Sequence, residues 1–291
     1  MVQLMCYGKL NLTLDVVQKR QDGYHDLESI FHTVSVFDEI TLEQDPTIMG
    51  VDVHSTVPID GENIVEAAVD IFFRITRIQP VGIRIHIDKR IPIKAGLGGG
   101  SANAAGVLLG LCHMFRVNPS PSALNKAALY LGADVPFLLK GGSALGCGIG
   151  ETLFPVDCKE QLHFLLVKPE EGLSTKTIFD ASDLKPITNR PDNEAFMVNL
   201  IDGNVRDLGH YAGNVLEPIA IDHLPVLSSI RDSLLASGAI YAAMTGTGST
   251  MFGLYENKLS ALRAYEGFFG KFPYVEYAFS VPNGVEIFDQ I

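Results

Sequence analysis

Four glycines fall within the segment AGLGGG at positions 95–100, and this cluster constrains the fold more than any other stretch of the chain. Glycine loses more conformational freedom on folding than any other residue, so such a cluster indicates a backbone that side chains would obstruct. The preceding residues Ile83–Ile87 alternate apolar and polar, which is typical of a strand, and a long apolar stretch follows the glycines. We therefore predict a strand, a glycine loop and then a helix from about Ser101 to Phe115.

The loop is suited to binding phosphate, although its sequence leaves a second interpretation open. A helix N-terminus presents unpaired N–H groups and a partial positive charge, and glycines before it let a ligand approach the backbone. The Walker A sequence Gly-Lys-[Ser/Thr] is absent, and Ser101 or Asn103 stands where a Rossmann fingerprint needs its third glycine. The HRD and DFG motifs of protein kinases are absent too. A phosphate cradle and a tight packing turn with small residues both fit the loop.

The composition is that of a folded, acidic protein. Its 291 residues are 47% hydrophobic and 19% charged, which provides apolar material for about two packed domains and excludes intrinsic disorder. The formal net charge of −12 argues against nucleic acid as a main partner, because nucleic-acid binding depends on Lys and Arg. The apolar runs are far shorter than the ~20 residues of a membrane helix, and the four cysteines form no CxxC pair. We expect a reduced, cytoplasmic protein without a membrane partner.

The remaining regular elements follow from the periodicity of apolar residues. Strands are predicted at Leu10–Val17, Ser29–Gln44 and Gln161–Pro169, and on both sides of the glycine turn in YAAMTGTGSTMFGLY. Helices are predicted after a cap at Asn63 and over Leu224–Ala239.

The order of these elements indicates an α+β protein of two domains. Strands and helices are interleaved, but several strands are adjacent, which separates this chain from the doubly wound α/β class. We place the domain boundary in the polar segment FPVDCKEQ at residues 154–161. This gives an N-terminal domain of residues 1–156 and a C-terminal domain of residues 157–291.

The segment SPSALNKAALYLGADVPFLL predicts a helix that ends in a short turn. Ser122 is the expected cap of this helix and Gly132 its C-terminal stop. Pro136 should keep the preceding Val135 extended, because proline disfavours the helical conformation of its neighbour. Asp134 is therefore predicted on the turn that leaves the helix.

Several separate segments together resemble the signature sequences of the GHMP small-molecule kinases. They are GKLNLTLDV and KRQDGYH near the N-terminus, PIKAGLGGGSANAA, LGADVPF, and TGTGST near the C-terminus, and they follow one another in the family's order between about Cys6 and Tyr255. The resemblance implies a two-domain fold, with an N-terminal domain like the second domain of ribosomal protein S5 and a ferredoxin-like C-terminal domain. ATP would lie between the two domains.

Within the family, DGYH and LGADVPF are most similar to the branch whose acceptor is cytidyl-diphospho-methylerythritol. The resemblance therefore implies ATP-dependent phosphorylation of the 2-hydroxyl of that compound, in non-mevalonate isoprenoid biosynthesis. Two alternatives are a GHMP kinase of the mevalonate or homoserine type, and a catalytically silent GHMP-fold protein that serves as a binding module. The first would not need Tyr24 and His25, and the second should have lost Lys9 or Asp134, but all four residues are present. A monomer or a weak homodimer is expected.

The resemblance assigns ATP to the glycine loop and its flanks. The implied ATP-binding residues are Pro92, Lys94, Ala95, Gly96, Leu97, Gly98, Gly99, Gly100, Ser101, Ala102 and Asn103. Mg²⁺ would be held mainly by the nucleotide phosphates and water, as is usual for this ion. The family often has Ser-Ser-[Asp/Asn] after the glycines, whereas Ala102 lacks the second hydroxyl, so Ser101 is the one candidate metal ligand.

The resemblance also assigns the residues that act on the acceptor. Asp134 matches the family's catalytic aspartate, which accepts the proton of the substrate hydroxyl, and Lys9 matches the lysine that orients this aspartate and offsets phosphoryl charge. Because Gly8 replaces the family's usual alanine, we expect a slightly looser strand at Lys9.

The implied substrate-binding residues come from three separate parts of the chain. Tyr24 would stack on the cytosine, His25 would form a hydrogen bond to its polar edge, and Phe179 would be a second stacking ring. Asn11 would hold the substrate beside Lys9. The turn formed by Gly246, Thr247 and Gly248 would lie near the phosphates, although an ordinary hairpin turn fits its local sequence equally well.

Overall fold

A computed structural model describes residues 1–58, 63–184 and 186–289. It confirms the α+β class, with two separate sheets and helices packed against them. Within these residues, no helix combines the length and apolarity that crossing a bilayer would require.

The strands and helices are numbered in chain order. The strands are β1 (Val2–Asn11), β2 (Asp15–Lys19), β3 (His25–Gln44), β4 (Val51–Ser55), β5 (Ile83–Asp88), β6 (Ser143–Gly148), β7 (Thr152–Val156), β8 (His163–Lys168), β9 (Tyr241–Met244), β10 (Met251–Tyr255), β11 (Tyr274–Phe279) and β12 (Val285–Asp289). The helices are α1 (Ile64–Thr76), α2 (Gly99–Met114), α3 (Pro121–Leu131), α4 (Val135–Leu138), α5 (Thr175–Ser182), α6 (Asn193–Asp202), α7 (Glu217–His223), α8 (Val226–Ala236) and α9 (Lys258–Phe268). A short 3₁₀ helix covers Val205–His210.

The first sheet is organised around the long strand β3. Its main order is β12-β1-β3-β5-β4, while β2 and β6 pair with the first half of β3 and β7 extends the sheet from β6. Helix α2 lies close against this sheet, because Gly106 leaves room for the sulfur of Cys6, which an added Cβ would meet at 2.2 Å. At Gly106, a small residue after the glycine loop therefore does serve close packing of the helix against the sheet.

The second sheet has the order β11-β8-β10-β9 and is antiparallel throughout. Helices α5 to α8 lie between β8 and β9, and α9 lies between β10 and β11. This βαββαβ arrangement matches the expected ferredoxin-like plait. The final strand β12 leaves this domain and pairs with β1 in the first sheet, so residues 285–289 complete the N-terminal sheet. The boundary after residue 156 stays a prediction.

The expected single strand over Leu10–Val17 is wrong, because strand β1 ends at Asn11 and strand β2 begins only at Asp15. Leu14 turns toward the second domain, where its backbone N–H donates to Gly213 O and its carbonyl accepts from Val215. The apolar alternation arises here from a segment that is buried on all sides, not from a strand with one exposed face. The break leaves Asn11 at the end of β1, at the border between the two domains.

Two helix starts differ from the expected ones. Helix α2 begins at Gly99, two residues earlier than predicted, because the last glycines of the cluster adopt helical geometry. Helix α3 is capped by Ser120 rather than Ser122, with Ser120 Oγ accepting from the N–H of Ala123 at 3.2 Å. Pro121 then occupies the first helical position, where its missing N–H has no cost.

The turn that carries Asp134 is confirmed, but the expectation for the residue after it is wrong. Helix α3 ends at Leu131, Gly132 is its C-cap, and Asp134 is the N-cap of the short helix α4. Val135 is the first residue of α4 rather than extended, since Pro136 lies in the first turn of a helix, where proline is tolerated.

Candidate active site

A cleft of about 560 Å³ lies between the two sheets, and most of the predicted site residues line it. Those that do are Lys9, Asn11, Pro92, Lys94, Ala95, Gly96, Leu97, Gly98, Gly99, Gly100, Ser101, Asn103, Asp134, Phe179, Gly246 and Thr247. Of the described residues that were predicted to bind a ligand, Ala102, Tyr24, His25 and Gly248 do not line it.

The glycine loop presents the bare N-terminus of α2 to the cleft. Gly98 is the N-cap of this helix with φ +71°, a left-handed conformation that favours glycine, and it has no side chain with which to cap the helix. The first N–H groups of a helix have no partner within it, so those at the start of α2 remain available to a ligand. Helix dipole and free donors make this end of the cleft a site for an anion.

The loop is held in place by the turn that follows β9. Gly96, at φ +74°, lies so close to this turn that an added Cβ would be 2.2 Å from the carbonyl oxygen of Thr245. Thr245 Oγ1 donates to Gly96 O at 3.3 Å and accepts from the N–H of Asn11 at 3.0 Å. The two glycine-rich segments and the end of β1 therefore form one connected backbone surface.

Gly96→Ala is expected to raise the KM for ATP at least about tenfold, because the methyl group would push the loop away from Thr245. The positive φ adds a strain of ~1–2 kcal/mol, so the melting temperature should fall by about 2–8 °C. ATP titration of initial rates and thermal unfolding measure both effects. The control is Gly267→Ala in α9, where no atom lies within 4 Å of an added Cβ. It should neither raise the KM for ATP nor lower the melting temperature. An unchanged KM for ATP in Gly96→Ala would contradict the close approach of Gly96 to Thr245.

The side chains of Lys9 and Asp134 meet beside the glycine loop. Lys9 is 4% exposed, and its Nζ lies 3.4 Å from Asp134 Oδ2 and 5.6 Å from the centre of the Phe31 ring. The backbone N–H of Lys9 donates to Leu97 O at 2.9 Å, which ties its strand to the glycine loop. An added Cβ at Gly8 would lie 3.2 Å from Leu97 O, and the pairing of β1 with β3 shifts register between Tyr7 and Gly8. The expected looser strand at Lys9 stays a prediction.

Asn11 lines the cleft and also holds Lys9. Its Oδ1 accepts from Lys9 Nζ at 2.6 Å, and its Nδ2 donates to Ser29 Oγ at 2.7 Å. Asn11 is 3% exposed. These two contacts orient the lysine and leave the second N–H of the Asn11 amide for a ligand in the cleft, so the expectation that Asn11 holds the substrate stays a prediction.

Of the aromatic residues predicted to bind a base, Phe179 lines the cleft, whereas Tyr24 and His25 do not, and their arrangement differs from the expected one. Tyr24 is 61% exposed on the turn between β2 and β3. His25 is buried, and its ring stacks on Phe179 with centroids 5.1 Å apart and planes 21° apart. Its Nε2 lies 2.8 Å from Asp183 Oδ1, so this nitrogen is already bound within the protein.

Sequence reasoning missed several residues that line the same cleft. Lys89 is a buried lysine whose Nζ donates to Asp38 Oδ2 at 2.5 Å and lies next to Gly99. Asn63 was read as a helix cap, which it is, since its Oδ1 accepts from Val65 N at 3.2 Å, but it also borders the cleft. Thr175 joins the turn after β9 through a hydroxyl contact of 3.0 Å with Thr247. No local sequence pattern identifies these three.

A buried acceptor in the cleft is free for a ligand. Asn103 is 2% exposed, and its Oδ1 has no hydrogen-bond partner in the described part of the chain. A buried acceptor without a partner is costly, so this atom is suited to receive a donor from a ligand. The described residues contain no cluster of three or more His, Cys, Asp or Glu side chains that could hold a metal.

Comparison with known families supports the resemblance seen in the motifs. The model of the GHMP kinases N terminal domain matches residues 63–142, and the model of the GHMP kinases C terminal domain matches residues 196–273. The chain is similar to the 4-diphosphocytidyl-2-C-methyl-D-erythritol kinase of Caldicellulosiruptor bescii, with 38% identity over 91% of this chain and 93% of that protein. It is also similar to the enzyme of the same name from Clostridioides difficile, with 35% identity over 98% of this chain and 97% of that protein.

Comparison with solved structures leads to the same family. A crystal structure of a 4-(cytidine 5'-diphospho)-2C-methyl-D-erythritol kinase superposes with a TM-score of 0.80 at 31% identity, covering 96% of this chain and 99% of that one. The L. major mevalonate kinase superposes with a TM-score of 0.70 at 17% identity, covering 96% of this chain and 95% of that one, and so shares the fold.

Proposed function

The chain belongs to the 4-diphosphocytidyl-2-C-methyl-D-erythritol kinases of the GHMP kinase family, and from this membership we propose that it transfers the γ-phosphoryl group of ATP to the 2-hydroxyl of 4-diphosphocytidyl-2-C-methyl-D-erythritol. The reaction supplies the non-mevalonate route to isoprenoid precursors. The observation that carries the proposal is the pairing of Lys9 Nζ and Asp134 Oδ2, 3.4 Å apart, at the mouth of the glycine loop. A catalytically silent relative would have no need to keep this pair.

We place the ATP phosphates on the glycine loop. The free N–H groups at the start of α2 and the helix dipole supply the donors and the positive potential that a triphosphate needs. Lys89, whose charge is offset by Asp38, would contribute further positive potential beside Gly99. Asn103 Oδ1, which has no partner among the described residues, would accept a hydrogen bond from a donor of the bound ligand.

The acceptor hydroxyl would lie beside Asp134, which accepts its proton. In the transfer step the hydroxyl oxygen bonds to the γ-phosphorus, the bond from that phosphorus to the β–γ bridging oxygen breaks, and ADP leaves. Carboxylate is a far weaker base than alkoxide, so the proton moves late, as the new bond forms. Lys9 offsets the charge on the transferring group and keeps Asp134 in place, while Asn11 keeps Lys9 in place.

When bound with ATP, Mg²⁺ would neutralise negative charge on the phosphate oxygens. Ser101 and Asp134 are too few to bind the ion by themselves, which fits an ion held mainly by phosphates and water. Ser101 is the residue of this chain that we assign to it. A cytoplasmic location and a monomeric or weakly dimeric state stay predictions.

The identity of the product tests the proposal directly. Carbon 2 of the methylerythritol moiety carries a methyl group and no hydrogen, whereas the other hydroxyl-bearing carbons carry hydrogens. A phosphate on the 2-hydroxyl should therefore give a ³¹P signal without three-bond coupling to a carbinol proton. We expect ADP and this uncoupled phosphomonoester in equal amounts. A coupled signal would place the phosphate on another hydroxyl and contradict the assignment.

Tyr24→Ala is expected to raise the KM for the cytidyl substrate about 5- to 150-fold, with kcat nearly unchanged. A base stacked on an aromatic ring is stabilised by ~1–3 kcal/mol, which corresponds to that range in affinity. Because Tyr24 is 61% exposed, its removal should not affect folding. Tyr130→Ala, which removes a 74% exposed ring from α3, is the matched control. An unchanged KM in Tyr24→Ala would show that this ring does not stack on the base.

A further inference from the structure

The imidazole of His25 is bound by a carboxylate at the end of helix α5. Its Nε2 lies 2.8 Å from Oδ1 of Asp183, the C-cap residue of α5. The other oxygen of Asp183 accepts from Nζ of Lys19 at the end of β2. Asp183 therefore joins α5 to the β2–β3 hairpin.

The imidazole of His25 is fixed in two directions. Phe179, one turn earlier in α5, stacks on its face, and Asp183 binds its edge. The hydrogen bonds from Lys19 and His25 hold the pKa of the Asp183 carboxyl below its ordinary value, so Asp183 is a carboxylate at neutral pH. A carboxylate only accepts hydrogen bonds, and Nε2 of His25 must be the donor.

This contact determines the chemistry of the other ring nitrogen. In a neutral imidazole one nitrogen carries the hydrogen and the other carries a lone pair, and the partner of the first sets the tautomer. With the hydrogen on Nε2, Nδ1 is an acceptor. Among the described residues, no hydrogen-bond partner is found for His25 Nδ1, so the acceptor is open to a ligand.

Cytosine and uracil differ at the position that such an acceptor would contact. Cytosine has an exocyclic amine that donates, where uracil has a carbonyl oxygen that accepts. An acceptor at Nδ1 is complementary to the amine and opposed to the carbonyl. The opposite tautomer would reverse this preference.

Resting on the proposed function, we infer that Asp183 is a positioning residue that makes the site select cytosine over uracil. It holds the hydrogen of His25 on Nε2 and keeps the ring flat against Phe179, so that Nδ1 accepts from the exocyclic amine of the base. Asp183 acts through His25 and has no part in phosphoryl transfer. Its removal should therefore change KM for the acceptor and leave kcat and the KM for ATP within about threefold.

The test compares Asp183→Asn with wild type on the cytidyl substrate and on its uridyl counterpart. An asparagine amide can donate to Nε2 and so permits the other tautomer. Wild type should prefer the cytidyl substrate at least about tenfold in kcat/KM, and Asp183→Asn should lower that preference at least about tenfold through KM. Asp180→Asn removes the same charge from an exposed position of the same helix and should behave as wild type.

A second readout does not depend on turnover. The ¹⁵N chemical shifts of the histidine ring report which nitrogen carries the hydrogen, and binding of cytidine diphosphate and uridine diphosphate reports the choice of base. We expect the hydrogen of His25 on Nε2 in wild type and on Nδ1, or on both in exchange, in Asp183→Asn. If the wild-type protein did not turn over the cytidyl substrate, the proposed function would be refuted. The ¹⁵N chemical shifts and the binding of the two nucleoside diphosphates would still test the role of Asp183. An unchanged preference in Asp183→Asn, an equal loss for both bases, or a wild-type hydrogen on Nδ1 would overturn the inference.

Discussion

Asp134→Asn is expected to lower kcat at least about a hundredfold while the KM for ATP stays within about threefold of wild type. The asparagine keeps the shape of the side chain but cannot accept the proton of the substrate hydroxyl. Removal of a positioned general base typically lowers the rate by about 10²–10⁴. ATP affinity should survive because the glycine loop and the start of α2 do not depend on this carboxylate.

Steady-state rates of ADP release at saturating cytidyl substrate measure this effect. Asp202→Asn, which removes a carboxylate from the exposed end of α6, is the matched control and should retain the wild-type kcat. Near-normal turnover in Asp134→Asn would remove this residue from its role as base. A large rise in the KM for ATP would instead indicate that the substitution had disturbed the loop.

Lys9→Met is expected to lower kcat by about 10²–10³, the usual range when one preorganised electrostatic partner of a transition state is lost. Methionine has a similar length and suits the buried position, where Lys9 is 4% exposed. The substitution removes the positive charge 3.4 Å from Asp134 and leaves Asn11 Oδ1 without its donor. The unpaired acceptor should cost ~1–3 kcal/mol of unfolding free energy.

Single-turnover rates and chemical denaturation separate the two effects of Lys9→Met. The matched control is Lys126→Met, at an exposed position of α3, which should leave both the rate and the stability unchanged. If Lys9→Met retained kcat within about tenfold of wild type, the lysine would be a structural residue only. Rescue of the rate by Lys9→Arg is not expected, because a planar guanidinium does not reproduce the contacts of a compact ammonium with Asn11 and Asp134.

The parts of the fold that periodicity governs were predictable from sequence. The strand before the glycine loop, the helix after it and the hairpin around TGTGST all carry local patterns, and the structure has all three. The loop could be proposed as an anion site, beside the alternative of a packing turn, because the requirement for a bare backbone before a helix is itself local. Errors of two residues at the starts of α2 and α3 arise because glycine and proline fit both the cap and the first turn.

Contacts between distant segments could not be predicted in this way. The meeting of Lys9 with Asp134 follows from the resemblance to the family, since neither residue stands out in its own surroundings. The contact of His25 with Asp183 joins positions 158 residues apart and has no signature in either segment. The break at Leu12–Leu14 has the same apolar alternation as a strand, and only its contact with the second domain distinguishes it.

The role of Asn11 shows why residue type alone misleads. An asparagine beside a catalytic lysine can hold either the substrate or the lysine, and the sequence is the same in both cases. The structure shows the contact with the lysine, because Oδ1 accepts from Lys9 and Nδ2 donates to Ser29. The second N–H of the amide is left for a ligand, so one asparagine can serve both roles and its substrate contact stays a prediction.

The choice of acceptor tests the account most directly. Release of ADP should be measured side by side with the cytidyl substrate, mevalonate and homoserine, under the same concentrations of enzyme and ATP. The account predicts turnover of the cytidyl substrate, with kcat/KM for the other two alcohols lower by about 10³ or more, since neither offers a base to Tyr24 and His25. Turnover of mevalonate or homoserine without turnover of the cytidyl substrate would contradict it.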